Sequence, residues 1–457
     1  MFQTLKTAFK NKELRNKILL TLGLLFIFRL GSWIPVPGIN IASVTATLPD
    51  NTIFQLLSAI GGNALQNGAL LAIGIAPYIN ASIITQLLTI AIPKLEQWSK
   101  QGEDGRKKIE KVTRWLTLVL GLAQSIGIAA SWNSSRALLP IFPGTSTVWV
   151  AVVVAAIMLA GAMFTMWLGE RITEIGIGNG MSLLIFVGII ASAGLAIYAE
   201  IEGFVTRTGS ADAVAAENLA AMWRLIAFFL VVFVIFFFIV FIDNAERRIP
   251  VQYAKQVKGN KVYGGQSTHI PIKVNANGVL PIIFATAIIT FPLIIVQFIA
   301  SFSANDPAAG TVRFLNFWQD WFSAGGNNVW GSVIFFVLQG LLILGFSYFY
   351  AQIQFKPDEV ARNLQQHGGT ITGIRPGAPT AEYLKKISKR LTLFGAIFLT
   401  IIATVPAIVF SIAFRGSTGL VNAFSATGML IVVSVALEIR TQLESQLMMK
   451  HYKGFLK

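Results

Sequence analysis

The sequence predicts an all-α membrane protein of ten transmembrane helices, set as two inverted halves of five. Three observations carry that reading. Of the 457 residues 54% are hydrophobic and only 12% charged, ten separate apolar stretches reach bilayer length, and the basic residues gather on alternate sides of them. A soluble globular chain carries about 25% charged residues. The mean hydropathy of +0.66 and the 34 phenylalanines agree. Together these exclude a soluble enzyme, a disordered tail and a disulfide-stapled secreted domain. The absence of cysteine excludes disulfides and thiolate-ligated metals.

A helix needs about 20 mostly apolar residues to cross a bilayer. The first five stretches that qualify are 18–35, 70–93, 115–132, 148–168 and 181–199; the second five are 223–243, 279–300, 331–350, 391–414 and 419–438. The first follows a basic tail, as a signal peptide does. However, Ser32-Trp33-Ile34-Pro35 offers no small-residue cleavage site, so the helix is expected to be retained.

Charge sets the orientation. With the N-terminus on the first side, that side holds 30 of the 36 Lys and Arg and 14 of the 21 Asp and Glu. The opposite side holds five basic residues, and Arg29 falls within the first span. The positive-inside rule then places both termini in the cytoplasm. An odd number of spans per half inverts the second half, residues 206–457, relative to the first, residues 1–205. Inverted repeats place a functional site at their interface near the midplane.

The spans carry almost no ionisable chemistry. Arg224, Asp243 and Glu438 sit at span ends, and Arg29 reads as a cation snorkelling from the outer third of its helix. His269, His367 and His451 have no metal-ligand spacing. Gly176-Ile177-Gly178-Asn179-Gly180 follows a membrane helix rather than a strand and lacks a Walker lysine, so it reads as a tight loop. Neither a catalytic constellation nor a cofactor is expected.

Two cytoplasmic segments, 244–274 and 351–390, exceed the usual connector of about 2–8 residues. They hold 13 of the 36 basic residues. Topology alone needs only short loops, so docking of a large acidic partner, an RNA backbone or an acidic protein face, is the favoured reading. On the outer side, residues 53–63 are apolar but too short to span, and they end in Gly61-Gly62. Such a segment is a re-entrant piece buried in protein or a short helix at the membrane surface.

Residues 74–88 (Gly-Ile-Ala-Pro-Tyr-Ile-Asn-Ala-Ser-Ile-Ile-Thr-Gln-Leu-Leu) resemble the second-span signature of the SecY family, the central subunits of bacterial protein-translocation channels. Residues 166–174 (Met-Trp-Leu-Gly-Glu-Arg-Ile-Thr-Glu) resemble its second signature. Shorter matches are Gln266-Ser267-Thr268-His269, Lys273-Val274-Asn275 and Gly373-Ile374-Arg375-Pro376-Gly377. The resemblance runs through nearly the whole chain in order and spacing.

The resemblance implies a central pore that passes unfolded preproteins across the cytoplasmic membrane and releases apolar segments sideways into lipid. Its constriction maps onto a pore ring of Ile75, Ile79, Met181, Ile185, Ile283 and Ile431, with Met181 in place of the usual isoleucine. A short re-entrant plug helix maps onto 53–63, with Ile53, Phe54, Leu57, Ile60, Gly61 and Gly62. The second and seventh spans become a lateral gate, with Gln86, Gln124 and Asn275 near its seam. Arg247, Arg248, Lys255, Lys258, Lys261 and Arg375 match the docking positions for the ribosome and the SecA motor ATPase. Asn260 and the tract Asp243-Asn244-Ala245-Glu246 depart from the commoner pattern there. SecE and SecG subunits, signal sequences and membrane lipid complete the implied partners. A small-solute secondary transporter is the alternative; it would need coupling acids inside the spans.

Overall fold

The computed structural model describes residues 2–47, 61–134, 136–140, 146–206, 211–253, 256–258, 261–263, 267–275, 278–302, 313, 317–318, 321, 329–413 and 426–454. The N-terminal helices are α1 (Phe2–Lys10), α2 (Lys12–Gly31) and α3 (Ile41–Thr47). Next come α4 (Ala76–Ala91), α5 (Pro93–Lys100), α6 (Glu103–Ser134), α7 (Thr147–Ile175), α8 (Gly180–Thr206) and α9 (Ala211–Asp243). Strands β1 (Glu246–Tyr253), β2 (Gln256–Lys258), β3 (Lys261–Tyr263) and β4 (Ser267–Lys273) follow. The chain then forms α10 (Leu280–Phe302), α11 (Val329–Gln354), α12 (Pro357–Gln366), β5 (Gly369–Ile371), α13 (Ala378–Ala413) and α14 (Ala426–Gly454).

Each of the ten apolar stretches is overlapped by a helix. Among the described residues, six helices are long and apolar enough to cross a membrane by length and composition, and the bent pair α4–α5 makes a seventh. The other three stretches are overlapped by α2, α10 and α14. The second span differs in detail from its sequence reading. Residues 70–75 are turns, Gly74 is left-handed (φ 58°), and the helix starts only at Ala76, with Pro77 in its first turn. At the other end Pro93 cannot continue α4, and α5 leaves at 99°.

Span interiors satisfy their hydroxyls locally. Thr117, Thr165, Thr286 and Thr400 each donate to the carbonyl one turn back, at 2.7, 2.9, 3.0 and 2.9 Å. In lipid an unbonded hydroxyl would find no water, so this back-bonding is the inexpensive arrangement.

Three apolar clusters organise the membrane part. One joins α6 and α7 to the turns before α4, around the fully buried Trp132, Met158 and Leu65. A second joins α9, α10, α11, α13 and α14 around Phe228, Ile343 and Phe410. The third draws on α2, α4, α7, α8, α10 and α14. Packing of α6 on α10 and of α8 on α14 closes the assembly.

The two long basic segments, 244–274 and 351–390, do not fold as loops. β1 pairs antiparallel with β4, Ile249 opposite Ile270, and with β5, Val251 opposite Ile371. β2 and β3 form a separate hairpin. Ile249, Val251, Ile272, Leu364, Ile371, Leu384 and Ile387 make a small core beneath this three-stranded sheet. The sequence reading missed the strands because Glu246, Arg247, Arg248 and Pro250 mask the alternation of Ile249 with Val251.

Candidate functional site

The candidate pore residues come from four helices. Ile75 caps the N-terminus of α4, and Ile79 lies one turn on, its amide bonded to the Ile75 carbonyl at 3.1 Å. Met181 and Ile185 sit one turn apart near the start of α8, Ile283 is in the first turn of α10, and Ile431 is in the second turn of α14. All six belong to the third apolar cluster. Ile75, Ile185 and Ile431 are buried, while Ile79, Met181 and Ile283 keep part of their surface open. Gly169 of α7 makes room for Met181. A methyl group on Gly169 would occupy the position of the Met181 sulfur. The flexible thioether thereby fills a slot that a β-branched isoleucine would have to meet with a different shape.

Residues 53–60, including Ile53, Phe54, Leu57 and Ile60, lie outside the described residues. Gly61 and Gly62 are described and buried. Gly62 is left-handed (φ 66°), and its carbonyl accepts from Arg29 Nη1 at 3.3 Å. A β-carbon on Gly62 would meet that guanidinium and would come within 3.1 Å of the Gly188 carbonyl. Arg29 therefore does not simply snorkel; its charge is spent on a backbone carbonyl 33 residues away.

The three neutral polar residues expected at the gate do not bond to one another. Gln86 of α4 accepts from the Tyr350 hydroxyl of α11 at 2.7 Å and donates to Ser82 Oγ at 3.3 Å. Gln124 is buried on α6, the helix that packs on α10, and its Oε1 has no partner among the described residues. Asn275 is also buried, but it donates to Asp243 Oδ1 at 2.8 Å, and Ser434 donates to the other carboxylate oxygen at 3.2 Å. Asp243 thus ties the end of α9 to the approach of α10 and to α14. Sequence reasoning missed Tyr350, Asp243 and Ser434. Tyr350 only bounded an apolar stretch, Asp243 read as a charge at a span end, and an isolated serine carried no signal.

Arg247 and Arg248 project from β1 as exposed side chains, and Arg248 pairs with Glu246 at 2.7 Å. Lys258 and Lys261 are backbone register partners at the end of the β2–β3 hairpin. Lys255 lies outside the described residues. Arg375 is exposed in the turn after β5, which the Thr380 hydroxyl braces by donating to the Arg375 carbonyl at 2.8 Å. Because β5 pairs with β1, the sheet joins two basic segments far apart in sequence into one surface. Among the described residues no group of His, Asp or Glu is arranged to hold a metal ion.

The family model SecY matches residues 69–440. The protein translocase subunit SecY of Bacillus licheniformis is 40% identical over 462 residues, covering 100% of both chains. That of Thermotoga maritima is 39% identical over 464 residues, covering 100% of this chain and 98% of its own. Among solved structures, a protein conducting channel superposes with a TM-score of 0.64 at 18% identity, over 94% of this chain and 91% of that one. Sec61 in the canine ribosome–channel complex gives 0.61 at 17% identity, with the same coverage. With a family model across most of its length and translocase subunits aligned end to end, the chain belongs to the SecY family.

Proposed function

We infer that this chain is the protein-conducting subunit of a Sec translocon, a multi-pass membrane protein that passes unfolded preproteins across the cytoplasmic membrane and releases apolar segments into lipid. The end-to-end identity of 40% with a translocase subunit is the observation that carries the reading. The spans hold no coupling acid at their centres, which disfavours the transporter alternative.

Within that function, Ile75, Ile79, Met181, Ile185, Ile283 and Ile431 form the seal. Their convergence in one apolar cluster from four helices supports the assignment. An apolar constriction sheds water and so presents ions with a desolvation barrier, yet its side chains yield to a passing chain. Residues 53–63 form the plug, 1–205 and 206–457 are the two halves, and the second and seventh spans, α4 and α10, form the lateral gate with Gln86, Gln124 and Asn275 near its seam. Arg247, Arg248, Lys255, Lys258, Lys261 and Arg375 dock the ribosome and the SecA motor. The channel is passive and driven by these partners, SecE and SecG complete it, and both termini are cytoplasmic.

The test is reconstitution. Purified with its small partner subunits into proteoliposomes, the chain is expected to import a signal-bearing preprotein when motor and ATP are added. Failure under conditions where a Bacillus licheniformis channel works would overturn the reading. Orientation is checked separately, because the chain has no cysteine of its own. Lys258→Cys should react with an impermeant thiol reagent in inverted vesicles and not in intact cells.

A further inference from the structure

We propose that Tyr350 is the second half of a latch that holds the lateral gate closed, with Gln86 as the first half. This rests on the channel reading above and names a residue that the gate signature did not contain. The Tyr350 hydroxyl donates to Gln86 Oε1 at 2.7 Å, across 264 residues of sequence. Gln86 lies on α4, in the half made by residues 1–205, and Tyr350 lies on the last turns of α11, in the other half. The bond therefore crosses the seam.

Two other polar contacts among the described residues stay within one half. Asn275 and Ser434 both donate to Asp243, and all three belong to the second half. Arg114 and Glu170, paired at 2.8 Å, both belong to the first. Such contacts travel with their own half when the halves separate, so they set no threshold for opening. The Tyr350–Gln86 bond must break, since a donor–acceptor separation beyond about 3.5 Å ends it.

Both partners are held in place before they meet. The Tyr350 ring stands edge-on to Phe284, with centroids 5.5 Å apart at 78°. Phe284 is buried at 2% exposure and is itself edge-on to Phe346, 5.6 Å away. On the opposite helix, Ser82 Oγ fixes the Gln86 amide by accepting from its nitrogen at 3.3 Å. Little side-chain entropy remains to be lost when the latch closes. An apolar signal helix entering the seam offers neither group a replacement, and lipid offers none either. The latch thus filters signals by strength: a strongly apolar helix gains enough on leaving water to break the bond, and a weak one does not.

The experiment compares a preprotein bearing its full-strength signal with one whose signal carries an added arginine, in proteoliposomes holding the complete channel. Tyr350→Phe keeps the ring on Phe284 and removes only the hydroxyl; Gln86→Leu removes the acceptor. Each is expected to raise the weak-to-strong import ratio about three- to tenfold, the range for one interhelical hydrogen bond in a membrane. The double variant is expected to gain no more than the larger single, because both remove the same bond. Tyr348→Phe, a neighbouring hydroxyl on the same helix, is expected to leave the ratio near wild type. An unchanged ratio in Tyr350→Phe, additive gains in the double variant, or equal losses for both signals would each overturn the latch while leaving the channel reading intact. A wild-type chain that imports neither preprotein defeats the channel reading itself, and the latch with it.

Discussion

Gly62 shows how a single backbone atom decides what a residue is for. Its φ of 66° lies in the left-handed region, where a side chain costs about 1–2 kcal/mol. Gly102 carries the same strain at φ 72° but has open space where a β-carbon would go. At Gly62 that space holds the Arg29 guanidinium. Gly62→Ala is therefore expected to lower the apparent melting temperature clearly more than Gly102→Ala, read by tryptophan fluorescence at one scan rate. Equal drops would mean that Arg29 moves aside freely. Arg375 makes the opposite case, because its carbonyl, not its side chain, braces the turn. Arg375→Glu should leave membrane abundance near wild type while import driven by the motor falls several-fold. Loss of abundance in step with activity would show a structural role. An exposed charge ordinarily contributes less than about 0.5 kcal/mol to stability.

At the scale of elements, legibility follows from what the medium demands. A span must close all its backbone hydrogen bonds within itself, so its signal is local and long, and all ten stretches could be read before any packing was known. The three-stranded sheet has no such local signal. β1 finds β4 after a hairpin and β5 only after two membrane spans, so its partners cannot be read from the strand itself. The basic residues of the two long segments were legible as types, but the pairing of β1 with β5 that joins those segments was not. Val251 is fully buried between β4 and β5, while Gln252 points outward. Val251→Asp would bury an unpaired carboxylate, at a cost of several kcal/mol. It is expected to expose the 246–273 region to protease in inverted vesicles with the spans still assembled, and Gln252→Asp is expected not to. Equal protection in both variants would mean that the sheet does not depend on its apolar core.

Across the whole molecule, the third apolar cluster has a part that neither of the others plays. The first is built from residues before α8 and the second almost wholly from α9 onward, whereas the third takes Ile75 and Ile185 from one side and Ile431 from the other. A cluster that only glued two halves together would tolerate, in transport terms, any substitution that still let them assemble. One that seals a pore would not. Asparagine at the ring retains water in the constriction and lowers the desolvation barrier to ions without widening the backbone. Of the three proposed ring members with surface left open, Ile79 and Met181 belong to one half and Ile283 to the other, so Ile79 with Ile283 places added polarity on both sides of the proposed conduit. Ile79→Asn with Ile283→Asn is therefore expected to raise resting conductance in planar bilayers by an order of magnitude or more. The matched control is Phe233→Asn with Phe237→Asn on α9, whose side chains are 73% and 63% exposed and face away from every cluster. That pair should disturb lipid contact and leave resting conductance near wild type. A ring variant that assembles and leaks no more than the α9 pair would make the third cluster an ordinary interface, and the seal would have to lie elsewhere along the pore.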